Sequence, residues 1–115
     1  MLVPGGQNNT VSMQAAATAT GNGTAILVTD EADGARTVLA MQITGISGDT
    51  ITFEGTIDKV NWVSILAENL TTGSEATTAT ANGIYRATVL GLMQVRARIS
   101  TYSAGTITIT GLLVA

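Results

Sequence analysis

The stretch from Thr50 to Leu66 constrains the fold of this chain more than any other. Ile51, Phe53, Gly55 and Ile57 alternate with Thr50, Thr52, Glu54, Thr56 and Asp58. A period of two is that of a half-buried β-strand. Lys59, Val60 and Asn61 break the alternation, and Asp58 and Asn61 are residues whose side chains bond to turn backbone. Trp62 then opens a second short run, in which Val63 and Ile65 alternate with Ser64 and Leu66. The expectation is a strand, a tight connection and a second strand, anchoring the core. Burying Ile51, Phe53 and Ile57 is worth roughly 1.5–3 kcal/mol each. Trp62, the only tryptophan, is expected in one buried cluster with Phe53 and Tyr85, so that Trp62→Ala costs about 3–5 kcal/mol.

The same alternation recurs along the chain. Ala25 to Thr29 is a short apolar run, and Arg36 to Thr44 places Leu39, Met41 and Ile43 on one face. Between them, Asp30-Glu31-Ala32-Asp33-Gly34 has the oxygens a calcium loop uses but not the ligand spacing, and reads as an exposed turn. Glu68 to Asn82 reads as a long loop with one short edge strand near residues 76–80. After the Asn82-Gly83 turn pair, Tyr85, Ala87 and Val89 form one apolar face, and Val95, Ala97 and Ile99 another. Read as a hairpin, this pairs Val89 with Val95, Ala87 with Ala97 and Tyr85 with Ile99, and sets Arg86 opposite Arg98 outside. Ile107 and Ile109 face inward on a last strand.

Seven to eight short strands with Gly, Asn and Asp turns, and no amphipathic helix, indicate an all-β fold: an antiparallel β-sandwich or jelly roll. A parallel α/β fold has no crossover helices to use. Residues 1–22, rich in Ala, Thr, Gly and Asn, read as an extended N-terminal arm, and residues 23–115 as the β-sandwich domain. Ordering such an arm needs contacts outside its own domain, most simply β-pairing with a neighbouring subunit, with Leu2, Val3, Val11 and Met13 as apolar anchors. Deleting it is then expected to leave a folded sandwich.

Composition excludes several chemistries. Cys and His are both absent, which removes disulfides, thiolate chemistry, imidazole ligands and His-based acid–base catalysis. With 11% charged residues and a net charge of −3, the chain lacks the clustered cations that nucleic acid requires. No apolar stretch has the length of a transmembrane helix, and the first ten residues lack a signal peptide's pattern, so synthesis in the cytoplasm is expected. Glu54 and Asp58 lie roughly 13 Å apart along one strand, too far for either glycosidase geometry. No catalytic or metal-binding residue and no cofactor is therefore assigned. Arg86, Arg96 and Arg98 form an outward arginine face, neutralised by Glu54 or Asp58 from a neighbouring strand or facing carboxylates of a partner. Tyr102, on a loop, is the aromatic left for stacking on a sugar. A surface this poor in charge favours a subunit of an assembly.

Phe53-Glu54-Gly55-Thr56 with Asp58, Asn61 and Trp62, then Asn82-Gly83-Ile84-Tyr85-Arg86 and Val95-Arg96-Ala97-Arg98-Ile99, resembles small β-sandwich virion proteins of tailed bacteriophages over most of the C-terminal two-thirds. The first motif is also similar to a strand–turn–Trp corner of discoidin-like and other carbohydrate-binding sandwiches. The resemblance implies a non-enzymatic virion component. It is expected to be a capsid decoration or cement protein that binds the assembled head lattice and partners its own copies, as a trimer, and the major capsid protein. The alternative is a tail- or fibre-associated module that binds host surface glycan through Tyr102.

Overall fold

The computed structural model describes residues 10–28 and 38–114. Eleven strands are found there: β1 (Thr10–Ala17), β2 (Ile26–Leu27), β3 (Val38–Thr44), β4 (Thr50–Thr56), β5 (Val63–Ser64), β6 (Ala67–Asn69), β7 (Glu75–Ala76), β8 (Thr78–Ala79), β9 (Gly83–Thr88), β10 (Gln94–Thr101) and β11 (Ile107–Val114). They build two antiparallel sheets. One has the order β1-β11-β3-β9-β6-β7; the other runs β2-β10-β4-β5, with β8 sharing the β5 edge of β4. The count exceeds seven to eight because the loop after Leu66 forms β6, β7 and β8 where one edge strand was expected, and because β1 forms within the expected arm.

The core lies between the sheets, and alternation chose its residues. Leu39, Met41, Ile43, Ile107 and Ile109 come from one sheet, and Ile51, Phe53, Val95, Ala97 and Ile99 from the other; all are buried. Phe53 and Tyr85 meet across the gap with ring centroids 5.5 Å apart. The buried Tyr85 hydroxyl donates to the Ala81 carbonyl at 2.7 Å, satisfying the one polar atom the ring brings inside. Trp62 is absent from this cluster. It is half-buried on the outer face, because the turn before it carries the chain out of the inward register. Ile57, expected inside, is 70% exposed for the same reason.

The expected β9–β10 hairpin does not form. β9 pairs with β3 and β6, whereas β10 pairs with β4 and β2. The chain passes between sheets at Leu90–Met93, fixed by the Met93 N–H donating to the Thr56 carbonyl at 2.8 Å. Both apolar sets do face the core, but from opposite sides, so Arg86 and Arg98 lie on opposite outer surfaces. Two further crossings, at 45–49 and 102–106, touch each other. Gly45 and Gly105 both have φ of +88°, and a Cβ on Gly45 would sit 1.7 Å from the Thr106 carbonyl oxygen, so only glycine fits. The buried Asp49 carboxylate clamps both loops, accepting from the backbone N–H of Ser47, Ser103 and Ala104. Burial alone would raise its pKa, but these donors outweigh that and hold it below the usual value.

Residues 10–22 are not a separate arm. β1 pairs with β11 of the same chain, and Met13 is 1% exposed in the core. The Gln14 side chain donates to the Ala97 carbonyl at 2.9 Å, tying the two sheets together. Val11 packs against the same core, so the two anchors expected to grip a neighbour hold this chain's own fold. Leu2 and Val3 lie outside the described residues.

Candidate functional site

The outer face of β4 and β10 carries the strongest electrostatic arrangement. Their register sets Glu54 directly opposite Arg96 and diagonal to Arg98. Arg96 Nε donates to Glu54 Oε1 at 2.8 Å; Arg98 Nε and Nη2 donate to Oε2 at 3.2 and 3.0 Å. The Arg96 guanidinium also lies 4.1 Å from the Trp62 ring centroid, a cation–π contact that fixes its far side. Beside it, Thr52 Oγ1 and Ser100 Oγ share a 2.7 Å hydrogen bond. Burial pushes the Glu54 pKa up, but Arg98 and Arg96 outweigh this and keep it below the ordinary range. Glu54 therefore stays ionised and is a poor proton donor. Asp58, the other expected partner for these arginines, is engaged elsewhere.

Asp58 organises the turn that follows β4. Its carboxylate accepts from the backbone N–H of Val60 and Asn61, both at 2.8 Å, from Asn61 Nδ2 at 2.8 Å and from Thr56 Oγ1 at 2.9 Å. Backbone and side-chain donation from Asn61, with Val60 and Thr56, drives its pKa well below the usual carboxylate value. Lys59 takes a positive φ of 65° at the tip. The result is a pre-ordered turn presenting Ile57 at 70% and Val60 at 76% exposure. Next to it, Gly55, Val63, Ile65 and Leu92 line a shallow apolar cleft of about 320 Å³. Gly55 makes room there, since a Cβ on it would lie 2.7 Å from Leu92 Cδ1. A rigid apolar projection beside an apolar cleft can bind a protein surface.

The remaining expected residues do not converge on this place. Arg86 sits on the other sheet and pairs with Glu68 at 3.2 Å. Tyr102 donates its hydroxyl to the Gly105 carbonyl at 2.6 Å and packs, partly buried, against the core. Among the described residues, no group of three or more Asp or Glu side chains could hold a metal ion. Alternation alone puts Ile57 inside and reads Val60 only as part of the tight connection, so neither stands out as a binding residue. Their signal was in the sequence, since Thr56 and Asp58 already begin the turn that ejects Ile57.

Comparison with known proteins gives no matching family model, and no curated protein matches in sequence. Solved structures do match in fold. The crystal structure of SPBc2 prophage-derived protein YomS aligns with a TM-score of 0.80 at 20% identity, covering 92% of this chain and 91% of that one. PBSX exported protein XepA aligns with a TM-score of 0.79 at 16% identity, over 89% of this chain but 36% of its own length.

Proposed function

We propose that this chain is a structural component of a bacteriophage particle, acting through surfaces rather than catalysis. The carrying observation is the fold it shares, over about nine-tenths of its length, with proteins described as prophage-derived and as a PBSX exported protein. The site supports the same reading. Glu54 and Asp58 are locked into structural hydrogen bonds, while Ile57 and Val60 are displayed on a turn whose order is already established before any partner arrives.

Within that role we place the chain on the head, as a decoration protein whose Ile57–Val60 turn docks on the major capsid protein. Repeated low-charge contacts suit a lattice that offers many copies of one site. The test is co-sedimentation of purified protein with undecorated heads and, separately, with tails of the phage that encodes it. Saturable binding to heads, weakened at least tenfold by Val60→Asp, is the expected result. Binding to tails alone would remove the head assignment, and binding to neither would overturn the particle role.

A further inference from the structure

Strands β1, β11 and β3 lie side by side, and none of their residues is charged. Their outward side chains continue across the sheet in register. Ala40 stands between Leu112 and Arg86, and Gln42 between Thr110 and Ile84. Among the described residues, charge on this face begins only at Arg86 and runs to Glu68 and Glu75 at the far edge. Exposed faces of a free protein usually mix in charges of both signs. Here Leu112 and Val114 on β11 and Ile84 on β9 are instead 39%, 42% and 44% exposed.

We infer that this sector of the six-stranded sheet docks a second copy of the chain about a two-fold axis. A two-fold contact uses one patch against itself, so the patch must hold both a projection and a hollow. It does: Ile84 and Leu112 stand beside a hollow of about 190 Å³ that Ala40 and Met41 also line. Area fits a weak contact. Strands β1, β11, β3 and β9, of eight, eight, seven and six residues, present roughly 470 Å² per copy at ~3.4 Å rise and about 4.8 Å spacing. A pair then buries roughly 950 Å², the size of a weak, reversible interface. Charge points the same way, because copies each carrying −3 meet with least repulsion through β1, β11 and β3, whose residues carry none. Arg86, Glu68 and Glu75 fall at the rim, where interfaces are polar. The inference concerns the purified protein alone and does not rest on the particle role.

Sedimentation equilibrium of the full chain from about 1 to 200 µM tests it, the range in which an interface of this size associates. A monomer–dimer equilibrium is expected. Leu112→Lys and Ile84→Lys should each weaken it at least tenfold, whereas Leu27→Lys, on β2 of the other sheet, should leave it unchanged. Far-UV circular dichroism and thermal melts establish that each variant is folded. A chain still monomeric at the top of the range overturns the inference. So does association that survives both face variants, or that Leu27→Lys abolishes. If deleting residues 1–9 turns a monomer into a dimer, the chain's own N-terminal segment covers this face, and the inference fails for the full chain.

Discussion

Glu54→Gln removes one negative charge from a place where two arginines depend on it, and the structure sets the size of the effect. The Glu54 side chain is 9% exposed and that of Arg96 16%, so their bond is largely shielded from water. A charge-assisted hydrogen bond in such a setting is worth about 1.5–3 kcal/mol. The Arg98 side chain is 35% exposed, and its share falls to about 0.5–1 kcal/mol through solvent screening. Without the carboxylate, two guanidinium groups two residues apart, roughly 7 Å along β10, add a repulsion of about 0.6–2 kcal/mol. Glutamine keeps the volume and one acceptor, which offsets part of the loss. We expect a destabilisation of about 2–4 kcal/mol at pH 7, measured by urea denaturation with Trp62 fluorescence as the probe. The pH dependence isolates the charge. A carboxyl whose folded pKa is lowered stabilises fully above its unfolded value near ~4.3 and loses that contribution as pH falls through the folded value. The gap between wild type and variant should therefore close below about pH 4. Asp49 and Asp58 are lowered in both proteins and cancel from the difference. A gap below about 0.5 kcal/mol at pH 7, or one that persists unchanged at pH 3, would refute the charge argument.

Trp62→Ala should cost about 1–2 kcal/mol, from one cation–π contact and a half-buried ring, rather than the 3–5 kcal/mol of a core aromatic. The same denaturant melts, followed by circular dichroism because the probe is lost, decide between the two. Met13→Ala should cost about 2–5 kcal/mol, and deleting residues 1–22 should prevent folding, since it removes β1 and its sheet-bridging Gln14. Native circular dichroism from that truncated chain would show that β11 tolerates an open edge.

Alternation made the inward faces legible and left the neighbours illegible. Leu39, Met41 and Ile43, like Val95, Ala97 and Ile99, face the core where a period of two puts them. That period says which side of a strand is buried, not which strand lies beside it. β9 and β10 satisfy the same pattern whether they pair as a hairpin or face each other across the core. Only the crossing at Leu90–Met93, held to β4 by the Met93 N–H to Thr56 carbonyl bond, separates the two outcomes. The N-terminal strand was hidden for a related reason. Val11 and Met13 show its alternation, but the Ala and Thr around them give no apolar run, and the decisive contact is a glutamine that reaches 83 residues along the chain.

The candidate site shows how local chemistry can override a periodic pattern. Ile57 keeps the phase of Ile51 and Phe53, and on pattern alone belongs inside. Thr56 and Asp58 flank it, and between them they make hydrogen bonds to Lys59, Val60 and Asn61 that an extended strand could not accommodate. One buried isoleucine is worth roughly 1.5–3 kcal/mol. Several local bonds to an ionised carboxylate together exceed that, so the turn wins and the isoleucine is pushed into solvent. An apolar side chain held outward by a rigid polar turn has lost its burial energy to the fold. It can recover that energy on a partner, and this is the physical basis for proposing the Ile57–Val60 turn as a binding element.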